Sequence, residues 1–408
     1  MTKLPLKNVR ILDLTHVWAG PLAVRFLSDL GAEVVKIEAP YGRGPRNYPI
    51  EPLGGWLGGE AGDEPWNANA IFVKFHRNRK SLCLNLKQPE VRELFLQLVK
   101  VADVVVENFS ADAMTDLGLG YEELKAVNPK IIYIGMPGFG ISGPYRNRVA
   151  FGPTVEAMSG LSSMLGYGPE DLRNSAIAPM DPIGGTHGSA AVMDALLRRE
   201  ETGFGSMVEL SLHEGGVTYS GPWLLEEQLA NSPKCISNRH PAMAPHGVYR
   251  CKGIDKWVAI ACKNDKQWSQ LCEVVGEALV SEMALMNRRT HHDEIDLALE
   301  AWTKQYTNLE ATEILQNRGI AAGPVNTTPD ITQDEQVSAR EFYIPYEKFG
   351  TPMPGNAIQM DGIDRTLWTP CPKLGGENRE ILQTWLNLGE KEIDYLQEKK
   401  FIFDSPPT

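Results

Sequence analysis

The stretch Asn8–Pro40, NVRILDLTHVWAGPLAVRFLSDLGAEVVKIEAP, reads as a strand, a loop, a helix and a second strand. Arg10, Leu12 and Leu14 alternate with Ile11 and Asp13, and a helical apolar pattern follows. Gly20-Pro21 opens that helix and Gly31 closes it, in keeping with proline in a first helical turn and glycine past a last one. Such a unit builds a parallel sheet, and the unpaired N–H groups at its helix start suit a phosphate or another anion. A dinucleotide fingerprint needs G-x-G-x-x-G between strand and helix, whereas this loop is Thr15-His16-Val17-Trp18-Ala19-Gly20, which disfavours NAD and FAD. Without those glycines, Glu38 reads as a solvated residue at a strand end.

The alternation continues downstream. Ser81–Leu86 has strand periodicity, Pro89–Val101 a helical stripe, and Asp103–Val106 a short buried strand. Tyr121–Val127 suggests another helix, and Lys130–Gly135 a strand that empties into Met136-Pro137-Gly138-Phe139-Gly140. This order predicts an α/β fold with a doubly wound parallel sheet, whose ligands gather at the carboxyl ends of the strands. The loops THVWAGP, ENF and MPGFG all leave such ends. After Leu212 the pattern changes, and residues 247–250, 257–261 and 323–325 read as strands among helices. The expected division is a large α/β domain over 1–222, completed by 331–408, and a smaller α+β domain over 223–330.

With 408 residues, two lobes with real cores are expected. The net charge of −12 argues against a nucleic-acid partner. No apolar run approaches the length of a membrane span, and no signal-peptide pattern opens the chain, so a soluble, cytoplasmic protein is expected. The six cysteines form no C-x-x-C pair and read as reduced, mostly buried thiols. His291-His292 lacks metal-ligand spacing and reads as a solvated helix start, so no metal is expected.

The segment Ala178–Ala190 places Asp181 ahead of Pro182 and a run of small residues, the pattern of a helix N-cap. A helix start also favours an ionised carboxylate, and Gly184, Gly185 and Gly188 permit close backbone approach. On residues alone, both a structural cap and an active carboxylate remain open. Gly138 and Gly140 likewise read either as a turn after a strand or as backbone donors for an oxyanion.

The pieces THVWAGP, LGAEVVKIE, NRKSL, VVVENF and ETGFGSMVELSL together resemble the family III CoA-transferases, the formyl-CoA and carnitine CoA-transferase group that shares its fold with 2-methylacyl-CoA racemases. The resemblance runs from Asn8 to Gly376-Glu377-Asn378 and Ile393-Asp394. It implies that Asp181 is a covalent nucleophile and that coenzyme A or acyl-CoA enters as substrate, with no resident cofactor. It also implies CoA-binding positions at His16, Val17, Trp18, Ala19, Arg79, Lys80, Asn108, Phe109 and Phe139, with Gly138 and Gly140 beside the reacting carbonyl. Arg79 and Lys80 would meet phosphates, and Trp18 and Phe109 the adenine or pantetheine.

Two departures accompany it. Relatives commonly continue ENF with Arg-Pro-Gly, where this chain has Ser110-Ala111-Asp112, and a further basic position is Asp116. Arg43, Arg46, Arg146 or Arg148 would then hold the phosphates. The racemases resembling this chain carry Gly-His-Asp where Phe151-Gly152 stand, which removes the histidine base and favours a transferase. A racemase or epimerase using His187, or a noncatalytic CoA-binding subunit, is the alternative. Gly54–Gly59 and Trp66 are the expected wall over an acceptor acid, either aromatic or dicarboxylic such as benzylsuccinate, with succinyl-CoA as donor. The resemblance further implies an interlocked homodimer, or a heteromer with a related chain.

Overall fold

Six short strands end in residues chosen for a rim: β1 (Arg10–Asp13), β2 (Glu33–Glu38), β3 (Lys80–Cys83), β4 (Val104–Glu107), β5 (Ile132–Gly135) and β6 (Met207–Glu209). The computed structural model describes residues 4–43, 54–229, 235–276, 278–344 and 353–407. The strands form one sheet in the order β3-β2-β1-β4-β5-β6, with every pairing parallel. This is the doubly wound order, and its switch point lies between β1 and β4.

The covering helices include α1 (Ala19–Asp29), α2 (Ala70–Phe75), α3 (Pro89–Lys100), α4 (Ala113–Asp116), α5 (Tyr121–Val127), α6 (Gly152–Met158), α7 (Met180–Thr202) and α8 (Leu212–Tyr219). Because alternate strand residues face opposite sides, Leu12, Val35 and Val105 enter one core with Phe95 and Leu98 of α3. Ile11, Val34, Val104 and Ile134 enter the other with Ala23 and Val24 of α1 and Val192 of α7. Ile381, Leu382, Trp385 and Ile393, from helices Asn378–Leu386 and Glu390–Glu398, join the first core.

Glycine sets the approach of α7 to α1. A Cβ on Gly185 would stand 3.0 Å from the Ala19 carbonyl oxygen and 2.9 Å from Leu22, and one on Gly188 3.2 Å from Ala23. The small residues of α7 thus bring its first turns against the start of α1.

The chain divides into two units, 1–161 with 175–228 and 341–408, and 162–174 with 229–340. Residues 162–174, assigned by sequence to the first, contain a small antiparallel pairing and belong to the second. That second unit holds His246–Arg250, Trp257–Ala261 and Ala321–Pro324 as an antiparallel sheet around a core that includes Trp268, Leu271 and Leu299. His292 opens a helix there but is buried, with the His246 N–H donating to its Nε2 at 3.2 Å, so it is no solvated helix start. No helix among the described residues is long and apolar enough to cross a membrane.

Candidate active site

Several strands of the large sheet end in a carboxylate that ties down a rim loop, which is the loop beyond it for Asp13 and Glu107 and the loop after the neighbouring β5 for Glu209. Asp13 accepts from the Thr15 N–H (2.8 Å) and hydroxyl (2.6 Å), Glu107 from the Phe109 N–H (2.7 Å), and Glu209 from the Ile141 N–H (2.5 Å). Local bonds of this kind pin loops that leave a strand end. THVWAGP, ENF and MPGFG are therefore fixed from below.

The first two loops are also bonded to each other across the switch point. Asn108 Oδ1 accepts from the His16 N–H at 2.7 Å, and its Nδ2 donates to the His16 carbonyl at 2.8 Å. Beyond His16, Val17 has φ 66° and is 63% exposed, a left-handed conformation that a β-branched residue adopts only under constraint. Trp18 then leads into α1 without a side-chain cap, and the Ala19 N–H lies near enough to the Asp181 carboxylate to favour its charged form. Asp181 thus faces, from another helix, a donor that α1 leaves unpaired.

Asp181 is the second residue of α7, not its N-cap. The helix begins at Met180, the cap position is Pro179, and Ala178 before it has φ 44°. The helix extends two residues further back than the proline pattern implies, because proline fits any position of a first turn whose N–H is unpaired. Two constrained residues, Val17 and Ala178, therefore precede the two helix starts that meet at this carboxyl. Burial raises its pKa from the usual 3.8, the Ala19 N–H opposes the rise, and the result is about 6. Gly152 closes the other side, since a Cβ there would lie 2.2 Å from Asp181 Oδ2 and 2.6 Å from Ala178 Cβ.

The glycine-rich loop packs beside it. Phe139 contacts a cluster of Val155, Met180 and Ile183, and its ring lies 5.6 Å from that of His213. A Cβ on Gly138 would meet Ala150 Cβ at 2.0 Å, and Gly140 has φ 85° beside Glu209. Packing and conformation thus explain both glycines without catalysis.

Other sequence candidates sit differently. The Arg79 guanidinium is buried, ion-paired with Asp13 and donating to the Pro21 carbonyl at 2.6 Å, so it braces the first loop from inside and presents nothing to a phosphate. Burial pushes the Asp13 carboxyl up, but Lys36, Arg79 and the Thr15 bonds outweigh this and leave it lowered. Lys80, the next residue along β3, points to the opposite face and pairs with Glu380 (2.9 Å) and Glu33 (3.4 Å). The two cations therefore do not act together. His16 is pushed down to about 4 by burial and then by Lys36, which keeps it neutral, and its ring lies 5.4 Å from Phe109. The Trp18 ring lies 5.6 Å from that of Phe75.

Among the substitute cations, Arg43 is buried and forked onto Glu38, so Glu38 is not the solvated residue its context suggested. Arg146 pairs with Asp112, and Arg148 lies over the Tyr145 ring at 3.9 Å. Arg46 falls outside the described residues. Trp66 is 2% exposed in a core with Cys83 and Leu374, and so forms no wall over a substrate. His187 follows Asp181 by six residues, about two-thirds of a turn out of phase, and its Nδ1 faces Gly215.

The strand-end carboxylates escaped the sequence reading, although residues 13, 107 and 209 carry the necessary signal. Glu107 differs from Asp13 in having no cation among the causes of its shift. Burial raises it to about 7 against the Phe109 N–H and the Tyr133 hydroxyl, which donates at 2.9 Å.

A doubly wound sheet with a carboxyl braced between two helix starts at its rim defines the class, and comparison with known proteins gives the family. CoA-transferase family III matches residues 6–378. The acetyl-CoA:oxalate CoA-transferase of Acetobacter aceti is 33% identical over 91% of this chain and 93% of its own length. The succinyl-CoA–D-citramalate CoA-transferase of Chloroflexus aurantiacus is 31% identical over 98% of each. A crystal structure of a CAIB/BAIF family protein from Brucella suis is similar with a TM-score of 0.83, at 29% identity, covering 94% of this chain and 100% of that one. The chain belongs to CoA-transferase family III and is a CoA-transferase.

Proposed function

We propose that this chain moves CoA between carboxylic acids through a thioester formed on Asp181. The supporting observation is the Asp181 carboxyl itself, partly desolvated yet close to the Ala19 N–H. Desolvation leaves it more basic than a free aspartate, and at neutral pH it is still largely ionised. The carboxylate adds to the donor thioester carbonyl, and CoA thiolate leaves to give a mixed anhydride. Thiolate then adds to the aspartyl carbonyl and expels the donor acid, leaving aspartyl-CoA. The acceptor carboxylate reverses both steps, departs as its CoA ester and restores Asp181. Covalent catalysis conserves the thioester energy that direct hydrolysis would lose.

Each addition develops an oxyanion, for which backbone N–H groups of Gly138 and Gly140 are the proposed donors. His16, Val17, Trp18, Ala19, Phe109 and Phe139 line the proposed CoA path, with Arg148 the proposed phosphate cation. Oxalate and citramalate, in the names of the two relatives, support a short dicarboxylic acceptor, and citramalate's partner supports succinyl-CoA as donor. The burial of Trp66 takes one of the two aromatics out of the wall expected over an aromatic acceptor.

Intact mass after incubation with succinyl-CoA tests the reading. A CoA adduct, trapped by hydroxylamine as an aspartyl hydroxamate and absent in Asp181→Ala, is expected. An unmodified chain that still turns over refutes it, and one that binds CoA without turnover identifies a noncatalytic subunit.

A further inference from the structure

The Asn108 amide is engaged at both ends by one neighbour, with a single N–H and a single lone pair left over. Its acceptor and its donor are both bonded to the backbone of a single residue, His16, at 2.7 and 2.8 Å. This imitates the pairing of two strands at the place where the strands themselves have ended, between the loops of β1 and β4. Asn108 is fixed from its own side by Glu107, which accepts the next N–H along the chain. Gly20 completes the fit, since a Cβ there would come 3.1 Å from Asn108 Cγ and 2.5 Å from Thr15 Cβ.

From His16 only Val17 and Trp18 intervene before Ala19, whose N–H meets Asp181. Val17 is exposed, so no packing of its side chain explains its left-handed backbone; the constraint comes from the flanking residues. We infer that Asn108 is a positioning residue for the nucleophile, clamping His16 so that the intervening turn aims the Ala19 N–H at the Asp181 carboxylate. The inference rests on the aspartyl-thioester reading and assigns Asn108 a role other than direct contact with CoA. Losing the clamp lets the turn relax, with two effects. The carboxylate loses its orienting donor, and the one contact that restrains its pKa rise weakens.

The test measures kcat, KM for succinyl-CoA and the acid limb of kcat/KM in Asn108→Asp and Asn108→Ala. Asn108→Asp keeps the acceptor and replaces the donor with an oxygen facing the His16 carbonyl. Both should lower kcat by about 10 to 100-fold, as misplacement of a reacting group by about 1 Å does. The acid limb should move upward, and KM should change less than about threefold. Val17→Gly, which loosens the turn beyond the clamp and leaves Asn108 itself intact, should move the limb the same way with a smaller loss of kcat, and it serves if the Asn108 variants do not fold. A raised KM with kcat and acid limb unchanged makes Asn108 a CoA ligand and overturns the inference, as does a limb that stays in place in all three variants. Adduct formation on wild-type Asp181 is scored separately, so this result leaves the aspartyl-thioester reading standing, whereas absence of the adduct removes that reading first.

Discussion

Replacing Asp181 with asparagine should make the protein more stable at neutral pH while abolishing transfer. The fold raises this carboxyl from the usual 3.8 to about 6, chiefly by burial. Holding it ionised therefore costs about 3 kcal/mol more in the folded state than in the unfolded chain, at about 1.4 kcal/mol per pH unit. Its partial exposure reduces this to about 2 kcal/mol. Because the folded value lies above the unfolded one, the fold favours the protonated form. The penalty is absent below about pH 4, grows as the pH rises through 6, and is complete above it. Asparagine carries no charge and retains an oxygen for the Ala19 N–H. Its advantage should thus be about 2 kcal/mol at pH 8, or about 3 °C in Tm, and close to nothing at pH 4. Scanning calorimetry of both proteins at both pH values measures it. Equal Tm differences at the two pH values would refute the claim that desolvated charge at Asp181 is what the site holds against the stability of the fold, a common trade at active sites.

Three further outcomes follow from the geometry. Gly152→Ala places a methyl 2.2 Å from Asp181 Oδ2 and should cost about 100-fold in kcat/KM, with an overpacking penalty of about 1–3 kcal/mol read as a lowered Tm. Arg79→Met leaves the buried Asp13 with Lys36 alone and should cost about 3–5 kcal/mol in urea unfolding; a raised KM for acyl-CoA at unchanged stability would instead make Arg79 a phosphate ligand. The wild-type rate should fall tenfold per pH unit below about 6, as Asp181 protonates, and a flat profile from pH 5 to 7 would exclude Asp181 as the nucleophile.

The sheet was legible because its signals are local. Strands of three to six residues alternate with helices whose ends carry glycine or proline, and each boundary costs the chain something if the residue type is wrong. Gly31, for example, has φ 98° and would drive a Cβ into Leu4. The start of α7 was misplaced by two positions because Met180 and Asp181 are both acceptable in a first turn, and only the approach of α1 decides between them. Trp66 and Arg79 were misplaced for the same reason in sharper form. An aromatic in a glycine-rich stretch and an arginine before a strand have no local pattern that distinguishes a surface ligand from a core brace. Burial of Arg79 depends on Asp13, 66 residues away, which supplies the charge that makes its desolvation tolerable.

The contrast between Asp13 and Glu107 shows how one device yields two electrostatic outcomes at the same rim. Both residues end a strand, and both accept the backbone N–H two positions on. Asp13 faces Lys36 and Arg79 and is held below the usual carboxylate range; Glu107 faces a tyrosine hydroxyl and rises to about 7. A permanent negative charge beneath the first loop is thus neutralised internally, while the second loop is held by a carboxyl that adds little charge near neutrality. Asp181 then remains a partly desolvated carboxyl whose shift comes from burial and one backbone donor, without a charged neighbour among its causes. A nucleophile that must repeatedly become an anhydride, a thioester and a carboxylate again benefits from that isolation. An ion-pairing cation would stabilise only the resting carboxylate and would raise the barrier to the first addition.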